Sequence, residues 1–265
     1  MSKVKDYFFQ HLIPKFGLGE TEAMWKYYSI HSLKHPSFNE DHEKHVSQLL
    51  DDYPIQYLVG EAAFYDSVLI VNESVLIPRP ETEELVEWII NEHKDRSGLS
   101  ILDIGTGSGC IITTLGKHLA ESNLTSIDIS DEAIAVAKSN ASRVGVDVDF
   151  VQADILAMDV SDLPRVDILV SNPPYIAISE KDQMSTSTLQ HEPDIALYAE
   201  GVDPNIFYRW IAKNGESLLN GNGSIYVELN ALAHELISEI FKTEGWTITV
   251  KTDFFGNYRM LKATK

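Results

Sequence analysis

Two short stretches hold the residue types that do chemistry. The first is Asn172-Pro173-Pro174-Tyr175, which ends the apolar run Val166–Ser171. Asn172 precedes a proline, which pushes its backbone towards the extended region and lets the amide project past a strand end. Pro173 and Pro174 carry no N–H, so the carbonyls beside them meet fewer local donors. Tyr175 supplies a flat wall. Such a set suits a planar group bearing an NH2. Asn172 Oδ1 and the Pro173 carbonyl can accept its two protons, with Tyr175 against its face. The competing reading is a Pro-Pro turn after a strand, with Tyr175 in the core.

The second stretch is Asp103-Ile-Gly105-Thr106-Gly107-Ser108-Gly109, between the apolar run Ser100–Ile104 and a helical pattern from Cys110. Its glycines permit a tight turn and close ligand approach, and the helix N-terminus favours an anionic group. The spacing is G-x-G-x-G, not the G-x-G-x-x-G of most dinucleotide folds. Asp128 ends the next strand, where a carboxylate can accept both ribose hydroxyls. Asp154 and Ile155 follow the third strand, where an adenine edge and face would lie. Together these residues make a nucleoside site. NAD and S-adenosylmethionine both suit it. Hydride transfer has no use for an amide clamp, so the pairing favours methyl transfer to nitrogen, with the Asn-Pro-Pro-Tyr ending beside the sulfonium methyl. Cys110, one residue past the loop, reads as a small residue packing on the sheet.

These stretches need a frame. From residue 99 the pattern alternates strand and helix: strands at Ser100–Ile104, Leu124–Asp128, Val146–Val151, Val166–Ser171 and Gly223–Leu229; helices at Cys110–Leu119, Asp131–Val144, Asn205–Leu219 and Leu232–Thr243. Trp246–Lys251 and Tyr258–Lys262 pair as a terminal antiparallel hairpin. The alternation implies an α/β fold, a parallel sheet covered by helices on both faces, with ligands beyond the carboxyl ends of its strands. Upstream, Glu81 to Glu84 open a helix with carboxylates in its first turn, where the dipole favours them. Val68–Val71 and Val75–Ile77 read as two strands of a β-hairpin turning at Asn72-Glu-Ser. Residues 1–60 read as three short helices. The last is capped by Ser37 and Glu40 at capping-box spacing.

The chain has 265 residues and a net charge of -19, with 44% hydrophobic content, ample for a core. A chain this acidic lacks the cationic surplus that tracks phosphate backbones. His31 with His35, and His42 with His45, have helix-face spacing for a metal, but no cysteine or acidic set completes either pair, so no metal is expected. One cysteine allows no internal disulfide and fits a reducing, cytoplasmic setting. The N-terminus lacks an apolar signal core and no run is long enough to span a membrane, so no membrane association is expected.

On Gln56-Tyr-Leu-Val-Gly-Glu61, Val75-Leu-Ile-Pro-Arg-Pro-Glu-Thr-Glu83, the glycine loop, Ser171-Asn-Pro-Pro-Tyr-Ile176 and Glu192-Pro193, the chain resembles the HemK/PrmC family. These are the N5-glutamine methyltransferases of peptide chain release factors. The resemblance covers nearly the whole chain. It implies a helical substrate-recognition domain over residues 1–60 and a hairpin linker over 61–80. Residues 81–265 would form a seven-stranded, Rossmann-like class I methyltransferase domain. It implies S-adenosylmethionine as cofactor, S-adenosylhomocysteine as product, and the glutamine of the Gly-Gly-Gln loop as acceptor. Gly105, Thr106, Gly107, Ser108, Gly109, Asp103, Asp128 and Asn172 would bind cofactor, with Ile155 near adenine. Asn172, Pro173, Pro174 and Tyr175 would hold the amide, and Arg79 and Glu81 would wall the site. A monomer suffices. The Asn-Pro-Pro-Tyr ending is shared with enzymes that methylate adenine or cytosine amino groups, which keeps a nucleic-acid substrate as the alternative.

Overall fold

A computed structural model describes residues 2–177, 181, 185–199 and 203–265. Helix α1 runs Ser2–Lys34 and breaks at Gly17, whose φ of 75° takes it out of helical space. Phe8 and Leu12 before the break, and Tyr28 after it, are fully buried. They pack on Val46 and Leu49 of α2 (His42–Leu50) and on Ile55 and Val59 of α3 (Ile55–Val59). The expected capping box does not form. Ser37 lies in a 3-10 turn, Pro36–Asp41, and α2 starts after Asp41 without a side-chain cap. The histidine pairs are part of the packing. His31 and His35 rings lie 4.5 Å apart, and His45 stacks on Phe38 and bonds the Tyr28 hydroxyl at 3.1 Å. Among the described residues no group of three or more His, Cys, Asp or Glu could hold a metal ion, and no helix is long and apolar enough to cross a membrane.

The linking hairpin is set one strand earlier than expected. Strands β1 (Glu61–Phe64) and β2 (Ser67–Ile70) pair antiparallel around Tyr65 and Asp66. Val75–Ile77 is not a strand. Side chains replace its ladder: the Tyr57 hydroxyl donates to the Val75 carbonyl at 2.6 Å, and Ile77 N–H donates to Glu192. Val75 and Ile77 still bury against Ala133 and Val136, which explains the apolar run.

The second half is one seven-stranded sheet in the order β5-β4-β3-β6-β7-β9-β8. Its strands are β3 (Ser100–Ile104), β4 (Asn123–Asp128), β5 (Asp149–Gln152), β6 (Val166–Ser171), β7 (Leu219–Glu228), β8 (Thr247–Thr252) and β9 (Tyr258–Thr264). The first five in space are parallel, and β9 runs antiparallel to both neighbours. Alternate residues face opposite layers. Ile101, Ile168 and Val170 meet Leu85 and Ile89 of α4 (Pro80–His93) and Ile112 of α5 (Cys110–His118). Leu102, Leu169 and Val227 meet Tyr208 and Ile211 of α9 (Ile206–Leu218) and Phe241 of α10 (His234–Thr243). Each fully buried Leu or Ile contributes about 1.5–3 kcal/mol over exposure. A one-residue slip would expose every one of them, so burial fixes the register. Helix α6 (Asp131–Val144) covers the β4 side, and α7 (Thr186–His191) and α8 (Asp194–Leu197), both unforeseen, follow β6. The connection reverses between β3 and β6, so a crevice opens beyond their carboxyl ends.

Candidate active site

The glycine loop leaves β3 at that crevice. Gly105, Gly107 and Gly109 all have positive φ (84°, 52° and 77°). At Gly109 the requirement is steric as well: a Cβ would lie 3.0 Å from the Ala137 Cβ of α6. Gly105 N–H and Thr106 N–H both donate to the Ile127 carbonyl of β4, at 2.8 and 3.1 Å. Asp128 closes the turn from the other side. Its carboxylate accepts Gly107 N–H at 2.8 Å and Ser130 N–H at 2.9 Å. Burial raises its pKa, and those backbone N–H bonds oppose the shift. Asn140, fully buried on α6, bonds both backbone groups of Ile70 and the Ser108 carbonyl. One side chain thus ties hairpin to loop.

Asp103 does not line the crevice. Its side chain is fully buried under the loop, where Oδ2 accepts from Ser126 at 2.9 Å and Ser126 meets the Thr106 hydroxyl at 2.6 Å. Oδ1 has no protein partner. Burial, aided by the Asp128 charge and opposed by Ser126, pushes its carboxyl up to about 8. Loop, Asp128, Ile129, Ile155, Phe207 and Pro174 enclose a cleft of about 1230 Å³. Cys110 also lines it, and burial pushes its thiol up to about 12, so it is no thiolate nucleophile.

A second compartment, about 600 Å³, lies beside the first and is lined by Tyr175, Ile176, Thr188, Leu197 and Glu228 among others. Arg79, Asn172 and Pro173 border both compartments. Asn172 is held by a chain of bonds with a fixed direction. The Glu228 carboxylate, 2% exposed at the end of β7, accepts from Thr82 Oγ1 at 2.6 Å and from the Tyr175 hydroxyl at 3.1 Å. With its proton given to Glu228, Thr82 Oγ1 accepts from Asn172 Nδ2 at 3.2 Å. The NH2 end of Asn172 is therefore anchored, and Oδ1, which has no partner among the described residues, is left for the compartments that Asn172 borders. Burial raises the Glu228 pKa, against the pull of Thr82 and Arg259.

Arg79 is clamped in turn. Glu192, 6% exposed, takes Arg79 Nη2 at 2.6 and 2.8 Å and Ile77 N–H at 3.2 Å. His191 beside it reaches the Asp51 carbonyl at 3.3 Å and packs edge-on against Tyr53. Glu81 is not brought to either compartment. It lies close enough to Glu228 to oppose its ionisation, and its neighbours Arg79 and Thr82 form the wall instead. Thr82, Glu228 and Phe207 escape a reading of the sequence, because each acts through partners far along the chain. Their only local signal is Thr82's place in the Pro-Arg-Pro-Glu-Thr-Glu run.

This geometry can be set against known proteins. A methyltransferase-domain family model matches residues 95–252. The release factor glutamine methyltransferase of Flavobacterium psychrophilum is 44% identical over 220 residues, covering 81% of this chain and 76% of the relative. The chain belongs to the release factor glutamine methyltransferase family. The Lactococcus lactis protein of that name is 39% identical, over 91% of this chain and 92% of its own length. Among solved structures, a ribosomal protein L11 methylase from Lactobacillus delbrueckii superposes with a TM-score of 0.54 at 21% identity, over 74% of this chain and 83% of that one. That likeness concerns the fold, and it agrees with the expected Rossmann-like methyltransferase sheet.

Proposed function

We propose that this protein transfers a methyl group from S-adenosylmethionine to the side-chain amide nitrogen of the glutamine in the Gly-Gly-Gln loop of peptide chain release factors. The observation that carries the reading is the partition: Asn172 and Pro173 stand between the two compartments, and Asn172 presents an unpartnered acceptor. The larger cleft suits the cofactor. It offers a glycine loop opening α5, a strand-end carboxylate and an apolar end. Asp128 keeps lone pairs beyond its two backbone bonds for ribose hydroxyls. Ile129, Ile155 and Phe207, which line the cleft, would hold the adenine. When bound, S-adenosylmethionine supplies a methyl group on a positively charged sulfur.

An amide nitrogen is a poor nucleophile because its lone pair is shared with the carbonyl, a conjugation whose strength shows in the ~18–20 kcal/mol peptide rotation barrier. Asn172 Oδ1 and the Pro173 carbonyl accept the two amide protons and aim the lone pair across the partition. Pro174 and Tyr175 flank the planar group. As positive charge grows on nitrogen these bonds strengthen, so they favour the transition state over the ground state. Asp103 acts as a support for the loop. A single copy is enough for this reading, and the substrate sets the work in the cytoplasm.

The test uses labelled cofactor and three acceptors: a release factor, the same factor with its Gly-Gly-Gln glutamine replaced, and duplex DNA. Label is expected on the first alone, with turnover collapsing in Asn172→Ala. Label on DNA would replace this reading with the amino-methyltransferase one.

A further inference from the structure

The loop between β8 and β9 carries two adjacent large apolar side chains that are among the most exposed of the described residues. Phe254 is 89% exposed and Phe255 74%. Two adjacent phenyl rings in water are costly, and contiguous exposed apolar surface is what marks a contact site. The loop is built to hold them out. Asp253, nearly fully buried, accepts from Asn257 N–H at 2.9 Å and from Arg259 Nε at 3.4 Å, while Asp253 N–H donates to the Asn257 carbonyl at 2.8 Å. Gly256, at φ 86°, makes the return turn. The rings therefore stand on a braced turn and lose little freedom when covered.

The turn is bonded to the segments that carry the acceptor compartment's residues. Phe254 N–H donates to Glu84 Oε1 at 3.0 Å, and Glu84 lies two residues past Thr82, which bonds Glu228. At the turn's far end the Arg259 carbonyl accepts from Leu229 N–H at 2.7 Å and Arg259 Nη1 donates to the Leu229 carbonyl at 3.3 Å, next to Glu228. Leu232, 74% exposed, follows Asn230, whose amide donates to the Tyr175 carbonyl. Exposed apolar side chains on the turn and at Leu232 thus stand on segments bonded to residues that line the compartment. The charge left open there is acidic: Glu81 and Glu84 of α4 make no ion pair among the described residues, whereas Arg259 pairs with Asp253 and Lys251 of β8 lies over the Trp88 ring, on a chain of net charge -19.

We propose that Phe254, Phe255 and Leu232 seat the body of the protein that presents the glutamine, a cationic and partly apolar face of the release factor beside the reacting loop. This rests on the glutamine methyltransferase reading and adds its docking surface. Aromatic anchors beside an active centre carry binding energy out of proportion to their area, and the unpaired carboxylates favour a cationic partner over an anionic one.

The experiment compares the wild-type chain with Phe254→Ser/Phe255→Ser and with Leu232→Ser, using a whole release factor as acceptor and calorimetric cofactor binding as a measure of intact folding. The double variant should raise KM for the release factor at least about tenfold, with kcat within about twofold and cofactor affinity unchanged. Leu232→Ser should shift KM in the same direction by less. Wild-type methylation with unaltered KM in the double variant would overturn the docking surface and leave the activity standing. Self-association of the wild-type chain, lost in the double variant, would assign the patch to a second copy and also overturn it. Failure of the wild-type chain to label any release factor would instead refute the activity itself.

Discussion

The hydroxyl of Thr82 is the smallest group on which the arrangement of the amide clamp depends. It donates to Glu228 at 2.6 Å and accepts from Asn172 at 3.2 Å. Thr82→Val keeps the shape and removes both bonds. The buried carboxylate loses one donor, a change worth about 1.5–3 kcal/mol of stability for a bond to a charged group. Asn172 loses its anchor, a neutral bond worth about 0.5–1.5 kcal/mol, which corresponds to about a two- to twelvefold loss of the reactive orientation. Displacement of the clamp adds to this, since small misplacements can cost up to about a hundredfold. The expected result is a kcat lowered about tenfold or more, cofactor affinity near wild type, and recovery of most of the rate in Thr82→Ser. Because Thr82 acts through Asn172, the double variant Thr82→Val/Asn172→Ala should be no slower than Asn172→Ala alone. Single-turnover kinetics with labelled cofactor decide it. A Thr82→Val enzyme within twofold of wild type, or additive losses in the double variant, would refute the relay. Protonation of Glu228 should act like the substitution, since a protonated carboxyl can donate to Thr82. Burial raises its pKa, so kcat should fall with decreasing pH before ordinary carboxylates titrate.

Asp128→Ala should weaken cofactor binding about 10- to 100-fold, the worth of hydrogen bonds to a charged group, and calorimetry giving an unchanged affinity would remove Asp128 from the site. Asp103 has a folded pKa of about 8 against an unfolded value near 4. The folded state therefore keeps a proton that the unfolded chain releases. Its contribution is fully present below about pH 4, declines by about 1.4 kcal/mol per pH unit and is gone above about pH 8. Urea titrations of Asp103→Asn should lack this decline relative to wild type, and parallel pH profiles would contradict it. Gly109→Ala must place a methyl 3.0 Å from Ala137 at φ 77° and should lower stability by about 2 kcal/mol or more, measured as the urea midpoint.

Much of this was legible in the sequence because it is local. Ser100–Ile104 and Val166–Ser171 form as strands over the very residues expected, since continuous apolar runs bounded by glycine or proline have one good solution. The glycine loop and the Asn-Pro-Pro-Tyr ending are likewise contiguous. The errors have physical causes. Val75–Ile77 has a strand's composition, but its backbone bonds go to Tyr57 and Glu192, a choice no window of sequence reveals. Helix α3 is five residues long and too short to show a period. Asp103 was expected in the cleft from its place in the motif, yet strand alternation turns it beneath the loop. Glu228 stands in an apolar strand with nothing nearby to mark it, and its role rests on Thr82, 146 residues away.

That separation has a consequence for how the enzyme comes into being. The bonds that shape the acceptor compartment join residues 90, 113 and 146 positions apart. Closing such loops costs entropy before any contact repays it, so these bonds form only after the sheet has assembled from β3 to β7. A partly folded chain can bury Leu85 against β6 and still hold Asn172 facing the wrong way. Methyl transfer is thus a report on the complete molecule, and a population that looks folded by helix content alone can be catalytically silent until Glu228 has found Thr82.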